Sequence, residues 1–105
     1  MTQRYNKLIR DRIPEIIAAQ GKHCIVKTMS EEEYMAMVDA KLDEELAEFH
    51  KDQSLEELAD LMEVIFAAAE ARGYSREQLE KVRLEKEVER GAFHKRMLLL
   101  EVRDC

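Results

Sequence analysis

Apolar residues recur at the spacing of an α-helix through most of the chain, and three of these amphipathic segments open on the same polar signature. In each signature a serine stands three residues before a glutamate or a glutamine, as in a helix capping box. The signatures are Ser30-x-x-Glu33, Ser54-x-x-Glu57 and Ser75-x-x-Gln78. They predict helices over about 30–50, 54–72 and 75–90.

The first two of these helices are predicted to form an antiparallel hairpin at the centre of the fold. Their apolar stripes are Met35, Val38, Leu42, Leu46 and Phe49 in the first helix and Leu58, Leu61, Met62, Ile65 and Ala69 in the second. The second helix is apolar on several sides over its second half. We therefore expect it to be the central helix, covered by this chain or by a second subunit.

The remaining segments are shorter. A turn or helix is expected at Lys7–Asp11 and a helix at Pro14–Gln20, since proline suits a first helical turn and Gly21 follows the end. Residues 24–29 and 97–100 are apolar and short, and they leave room for one two-stranded β pair. The predicted fold is an all-α bundle of about four helices in a single domain, 1–105, with that β pair as an optional addition.

Composition agrees with this fold and narrows the partners. Of 105 residues, 46% are hydrophobic and 38% are charged, with three Gly and one Pro, which favours helices. The net charge of −6 disfavours nucleic acid as a partner. No apolar run has the length of a signal or membrane segment. We expect a cytoplasmic protein without a membrane partner, in which Cys24 and Cys105 are free thiols.

Four carboxylates flank the predicted hairpin turn. Glu45 and Glu48 precede it and Glu57 and Asp60 follow it, and each pair is spaced i, i+3 so that both side chains lie on one helix face. A reversal near residues 52–53 brings the pairs level, where four anions would repel each other without a counter-cation. All-oxygen ligation selects a hard ion, Mg²⁺ or Mn²⁺. The alternative is an ordinary solvated acidic face, on which Glu57 acts only as a cap partner.

Two basic groups are candidates for binding phosphate. Lys86 and Arg90 stand i, i+4 near a helix C-terminus, where they either grip phosphate oxygens or simply complement the helix dipole. Asn6, Lys7 and Arg10 form a polar N-terminal set that is either a nucleotide contact or a solvated turn. The residues alone leave both choices open.

Three elements resemble one known family. Glu44-Glu45-x-x-Glu48 followed by Glu57-x-x-Asp60 resembles the EExxE…ExxD signature of the all-α nucleotide pyrophosphohydrolases, the MazG-like and phosphoribosyl-ATP pyrophosphatase superfamily. Tyr5 to Ile17, YNKLIRDRIPEII, resembles the start of a small subgroup labelled phosphoribosyl-ATP pyrophosphohydrolase-like. Lys86-x-x-x-Arg90-Gly91-Ala92-Phe93 resembles its KxxxRGGF element, with Ala92 in place of a glycine. The eight residues between Glu48 and Glu57 are fewer than in many MazG proteins.

The resemblance implies Mg²⁺-dependent hydrolysis between the α and β phosphates of a nucleoside triphosphate, which releases a monophosphate and pyrophosphate. Glu45, Glu48, Glu57 and Asp60 would bind the ion or ions, while the helical wheel turns Glu44 outward. The nucleotide contacts implied are Asn6, Lys7, Arg10, Lys86 and Arg90. A homodimer or homotetramer is implied as well.

The hydrolytic step needs a base for the attacking water. We favour Glu48 and keep Glu45 as the other candidate. Two alternative functions stay open: phosphoribosyl-ATP hydrolysis in histidine biosynthesis, and a non-catalytic helical interaction module in which the acidic faces are merely solvated.

Overall fold

The computed structural model describes residues 2–104, which form four helices and no strand. The helices are α1 (Ile13–Ala19), α2 (Glu31–Asp52), α3 (Leu55–Ala71) and α4 (Arg76–Arg90). The predicted all-α class is confirmed. The Cys24 thiol is free and exposed, whereas the prediction for Cys105 lies outside the described residues.

Serine caps start the three long helices, as the signatures predict. In α2 the Ser30 hydroxyl accepts a hydrogen bond from the Glu33 amide at 3.1 Å, and the Glu33 carboxylate accepts one from the Ser30 amide at 3.3 Å. Ser75 and Gln78 repeat this reciprocal pair at the start of α4. Each capping box satisfies two backbone groups that would otherwise lack a helical partner.

The connection between α2 and α3 is shorter than the sequence predicts. The prediction ended the first helix at about His50 and gave residues 51–53 to the turn, whereas α2 continues to Asp52. Gln53 adopts a left-handed backbone, φ 54°, and its amide donates to the Phe49 carbonyl. This closes the helix end without a glycine, so only Gln53 and Ser54 join α2 to α3.

The N-terminal helix follows a turn rather than another helix. The Ile13 amide donates to the Arg10 carbonyl at 3.1 Å, and residues 7–11 contain no helix. Pro14 stands in the first turn of α1, where its missing amide hydrogen carries no cost. Gly21 beyond the helix end has φ 76°, a conformation that glycine adopts without strain.

Helix α3 is the central helix of the chain. It packs along α2 as an antiparallel hairpin and also contacts α4, which touches no other helix of the described chain. Within the hairpin Val38 is fully buried and Val64 is 8% exposed. The predicted stripes thus face inward only in part, because Leu46, Leu58 and Met62 remain 44–53% exposed.

Helix α4 is fixed to α3 only near the corner that joins them. The Arg76 guanidinium lies over the Phe66 ring, 4.2 Å from its centroid, and forms an ion pair with Glu63. A Glu70 carboxylate oxygen lies 3.6 Å from the same guanidinium, as a second ion-pair contact. The rest of α4 extends away from the hairpin, so Val88 is 81% exposed.

The optional β pair does not form within residues 2–104. Both 24–29 and 97–100 are extended, but neither is paired in a sheet, and Ile25 and Leu100 are 100% and 85% exposed. A short strand is stable only with a partner, and α4 directs the C-terminal segment away from the hairpin. The β pair is therefore wrong for the isolated chain.

The molecule is more open than a folded monomer of its size. Its radius of gyration is 18.8 Å, against about 13 Å expected for this length. Its accessible surface is 10065 Å² for 12.3 kDa, against about 6,100 Å² from the usual size scaling. No helix within residues 2–104 is long and apolar enough to span a bilayer.

Candidate functional site

The α2–α3 hairpin brings carboxylates from both helices together. Glu45 comes from α2, and Glu57 and Asp60 come from the first two turns of α3. One oxygen from each of the three lies within 4.8 Å of the others, and all three residues are partly buried. The two-residue connection keeps the helix ends in register, which is how residues 12 and 15 positions apart come to share one patch.

A second group of carboxylates overlaps the first. Glu48, Asp52 and Glu57 also offer oxygens within 4.8 Å of one another, so Glu57 belongs to both groups. The predicted quartet is therefore distributed over two adjoining clusters rather than one. We call the five residues the acidic cluster: Glu45, Glu48, Asp52, Glu57 and Asp60.

Asp52 is a member that the sequence prediction missed. The prediction placed Asp52 in the turn, and it becomes available because α2 extends to that residue. Its spacing from Glu48 is i, i+4, which puts both side chains on one helix face. The i, i+4 spacing from Glu48 could have identified Asp52 from the sequence. It places the two side chains together only if α2 extends to Asp52.

Glu57 is free to join the acidic cluster because its carboxylate does not complete a capping box. Its amide donates to the Ser54 hydroxyl at 3.2 Å. Unlike Glu33 and Gln78 at the same position of α2 and α4, its side chain makes no hydrogen bond back to the cap amide within the described chain. A role limited to capping therefore does not account for the position of this carboxylate.

The environment of Glu57 disfavours its charge. Partial burial raises the pKa of the Glu57 carboxyl, and repulsion from Asp60, Asp52, Glu45 and Glu48 raises this pKa further. Burial and like charges act in the same direction because both make the ionised form less favourable. A positive charge placed among these groups would reverse the second effect.

Two side-chain cations already lie at the edge of the acidic cluster. The Arg10 guanidinium contacts Asp60 at 2.6 Å, which brings the N-terminal segment to the site. The Lys41 ammonium lies 3.6 Å from Glu45, and these two side chains are only 17% and 14% exposed. Lys41 was also missed, although its i, i+4 spacing from Glu45 is visible in the sequence. Both cations contact the edge residues and leave Glu57 without an ion-pair partner among residues 2–104.

The other predicted contacts are not all brought to this place. Lys7 lies over the Tyr5 ring, 5.7 Å from its centroid, and Asn6 is exposed with φ 48°. Lys86 and Arg90 are exposed on the part of α4 that extends away. Arg90 is about 20 Å from Arg76 along the helix axis. One chain alone therefore does not bring Lys86 and Arg90 to the acidic cluster.

Glu44 behaves as the helical wheel predicts. Its side chain is 53% exposed and its only ion-pair contact in the described chain is a long one, 3.8 Å to Lys41. It belongs to neither group of converging oxygens. The outward direction expected for this first position of the acidic signature is confirmed.

The donors of the acidic cluster suit a hard divalent cation. All are carboxylate oxygens, with no His or Cys in either group. Mg²⁺, Mn²⁺ and Ca²⁺ prefer such oxygen ligands, whereas Zn²⁺ sites are built mainly from nitrogen and sulfur. The raised pKa of Glu57 agrees with a site that lacks positive charge at its centre.

Comparison with known proteins leaves the family open. No protein-family model matches the chain, and no solved structure matches it. A Mycolicibacterium smegmatis (strain ATCC 700084 / mc(2)155) protein named only as uncharacterized is 50% identical over 54 residues, which are 48% of this chain and 55% of that protein. The chain thus spans about half the length of the curated relative that it matches. The similarity carries no functional information.

Proposed function

We propose that this protein is a Mg²⁺-dependent nucleotide pyrophosphohydrolase that cleaves between the α and β phosphates of a nucleoside triphosphate. The products are a nucleoside monophosphate and pyrophosphate, and Mn²⁺ can replace Mg²⁺. The observation that carries the proposal is the convergence of Glu45, Glu57 and Asp60 across the hairpin. The resemblance of the acidic, N-terminal and Lys86–Phe93 segments to the all-α pyrophosphohydrolases supports the same reaction. We place the enzyme in the cytoplasm.

Glu45, Glu57 and Asp60 hold the metal in this proposal, with Glu48 and Asp52 beside them. A divalent ion there supplies charge neutralisation for the phosphates and lowers the pKa of a bound water. Glu45 is placed to be a ligand because one of its oxygens converges with those of Glu57 and Asp60 and its side chain is only 14% exposed.

Glu48 is the better candidate for the general base. It is exposed to solvent and is not part of the Glu45, Glu57 and Asp60 group. A carboxylate at the rim can accept the proton of an attacking water and release it to solvent afterwards. Glu45 remains the second candidate, and its burial against Lys41 disfavours it for proton exchange.

The substrate phosphates need cations that the acidic cluster does not provide. Arg10 already lies beside it, in an ion pair with Asp60. A nucleotide phosphate can replace the Asp60 carboxylate as the partner of this guanidinium. Asn6 and Lys7 are close to Arg10 in sequence and complete the N-terminal contact. We propose that Lys86 and Arg90 reach the nucleotide from another copy of the chain in a homodimer or homotetramer.

Two other functions remain as alternatives. Phosphoribosyl-ATP hydrolysis would use the same acidic cluster on a different substrate. A non-catalytic helical interaction module is favoured by one observation, the exposed apolar residues Leu58, Met62 and Ile65 on α3. That function predicts no specific divalent-ion binding.

A substrate panel tests the proposed reaction. Pyrophosphate release is measured from dNTPs, NTPs and phosphoribosyl-ATP with Mg²⁺ or Mn²⁺. Turnover of the nucleoside triphosphates supports the main proposal, and turnover of phosphoribosyl-ATP alone supports the first alternative. If no substrate turns over with either metal, both enzymatic functions are rejected.

Thermal unfolding with and without Mg²⁺ separates the enzyme from the interaction module. At a free metal concentration of about 100 Kd, specific binding stabilises the folded state by about 2.7 kcal/mol, and each kcal/mol shifts Tm by about 4–8 °C in a small domain. Glu45→Gln with Asp60→Asn should abolish the shift. Glu32→Gln with Asp43→Asn removes the same charge from exposed positions of α2 and should keep it. An equal response of the two double variants contradicts a site at the acidic cluster.

A further inference from the structure

Two extended segments of the described chain expose apolar side chains to solvent. The linker segment, residues 24–29, has Ile25 at 100% and Val26 at 58% exposure. In the C-terminal arm, residues 97–102, every apolar side chain is 78–85% exposed. Both lie outside the acidic cluster, and the proposed reaction uses neither.

The backbone amides and carbonyls of these segments also lack backbone partners in the described chain. Within residues 2–104 neither segment makes a backbone–backbone hydrogen bond. An extended apolar segment with free amides and carbonyls is a template for pairing with another strand. The arm and the linker segment are each six residues long, so each offers the other a pairing partner of comparable length.

We propose that the C-terminal arm of one copy pairs antiparallel with the linker segment of a second copy, and reciprocally. The arm follows α4, which contacts only α3 among the helices, whereas the linker segment precedes α2. Each copy carries one donor and one acceptor segment, so two copies close a symmetric dimer with two identical ladders. The inference does not depend on catalysis.

The exposed surface supports a second copy as the occupant. The chain exposes roughly 4,000 Å² more than a folded monomer of its mass, and a permanent dimer buries about 1,000–2,500 Å² on each copy. A short peptide on one segment would leave most of this excess exposed. Exchange of both arms covers apolar surface at two places on each copy.

Charge suggests the alignment of the ladder. When Lys27 faces Glu101 in an antiparallel pair, residues 24–29 face residues 99–104, so that Val26 faces Val102 and Cys105 follows directly after the residue opposite Cys24. Opposite charges and branched apolar residues are favourable cross-strand pairs. Lys27 is 74% and Glu101 is 62% exposed at the side chain, each in a surface ion pair. Such pairs contribute little to stability, so they can exchange partners.

The two cysteines of the chain make this pairing testable. Cys24→Ser and Cys105→Ser variants are refolded together and oxidised mildly, and the digest is searched by mass spectrometry for a disulfide between Cys24 and Cys105. Since each variant keeps one thiol, this linkage can form only between copies. We expect it well above the level obtained in denaturant.

A third variant checks that pairing, rather than collision, produces the disulfide. Val102→Pro removes an amide hydrogen from the middle of the paired stretch, where Val102 faces Val26, and proline is not tolerated inside a ladder. Introduced into the Cys24→Ser partner, which donates the arm, it should lower the yield several-fold. Glu89→Gln, at an exposed polar position of α4, is the control and should not. If the oxidised wild type forms a Cys24–Cys105 disulfide but the mixture of variants forms none, the segments pair within one chain and the exchange is wrong. If neither sample forms this disulfide, the proposed pairing is also wrong.

Discussion

Glu57 is the residue on which the acidic cluster depends, because it belongs to both groups of converging oxygens. Its raised pKa, caused first by burial and then by Asp60, Asp52, Glu45 and Glu48, means that its ionised form opposes folding at neutral pH in the absence of metal. A metal that binds there turns the same negative charge into a favourable contact. The charge of Glu57 therefore has opposite effects on stability with and without metal.

Glu57→Gln should raise the Tm of the metal-free protein at pH 7 and remove most of the Tm increase caused by Mg²⁺. The amide keeps the size of the side chain and removes the repulsion, but it is a poor ligand for a hard ion. Melting curves with Mg²⁺ and with a chelator measure both effects. Glu56→Gln, at the exposed neighbouring position, should change neither. A lower metal-free Tm in Glu57→Gln would contradict the repulsion.

The pH dependence of this difference follows from the sign of the pKa shift. A carboxyl whose pKa is raised by folding adds stability at low pH, and this stability is lost as the pH rises through the folded-state pKa. The Tm advantage of metal-free Glu57→Gln over the wild type should therefore shrink as the pH falls from 7 toward the raised pKa of Glu57. The Mg²⁺ effect on the wild type should fade over the same interval, because protons compete with the metal. Melting curves of both proteins across this pH range measure the Tm difference. If this difference does not change with pH, the raised pKa of Glu57 is not its cause.

The sequence predicted the converging carboxylates but not their complete surroundings. Helical spacing placed Glu45, Glu48, Glu57 and Asp60 in one patch, whereas the structure divides them between two adjoining groups that share Glu57. The prediction missed Asp52 because this residue lies on the same helix face as Glu48 only if α2 continues to residue 52. The contact of Arg10 with Asp60 joins residues 50 positions apart, and no local periodicity reports such a pair.

At the scale of elements, α3 begins differently from the other long helices. Ser54 accepts from the Glu57 amide, but the return bond of a capping box is absent from the described residues of α3 and present in α2 and α4. The helix gives up one capping bond, and the Glu57 carboxylate lies in the acidic cluster instead. The start of α3 thus joins a local folding signal to the proposed site.

Ser54→Ala should lower stability by about 1 kcal/mol, the usual cost of removing a serine N-cap, and should also weaken Mg²⁺ binding. The second effect arises because fraying of the first turn of α3 loosens Glu57 relative to α2. Ser75→Ala is the matched control, since it removes the cap of α4, which carries no member of the acidic cluster. Metal titrations of the two variants should differ although each loses one serine cap. Equal metal affinities in both would contradict the link.

Helix starts were predicted well and one helix end was not. The serine signatures place the starts of α2, α3 and α4 within one residue, because a cap is a local interaction between neighbours. The end of α2 depends on the left-handed conformation of Gln53, which the residue type does not favour. The β pair was wrong for one chain because strand pairing depends on which distant segments meet.

At the scale of the whole molecule, the position of α4 could not be predicted. Its amphipathic stripe was visible, but the stripe does not specify which surface it covers. In the single chain Leu84 and Val88 remain 50% and 81% exposed, and only the Arg76 corner is fixed to α3. The proposed contact of Lys86 and Arg90 with the nucleotide therefore requires a second copy of the chain.

The exposed face of α3 carries the last prediction. Leu58, Met62 and Ile65 recur at spacings of four and three, which forms a seam suited to packing against another helix. They are 42–53% exposed in the single chain, and we expect a second copy to cover them. Met62→Gln should therefore shift sedimentation velocity profiles toward smaller species at low micromolar protein and lower Tm, because assembly stabilises the folded chain by mass action.

Glu56→Gln, on the opposite side of α3 by helical geometry, introduces the same side chain and should leave the assembly unchanged. Comparison of the two variants separates a loss of the apolar seam from a general effect of glutamine on the helix. If wild type and Met62→Gln sediment alike as monomers, the seam is not an interface, and Lys86 and Arg90 could not reach the nucleotide from another copy. If both sediment as the same oligomer, a different surface holds the copies together, and the exchanged C-terminal arms are then the remaining contact to test.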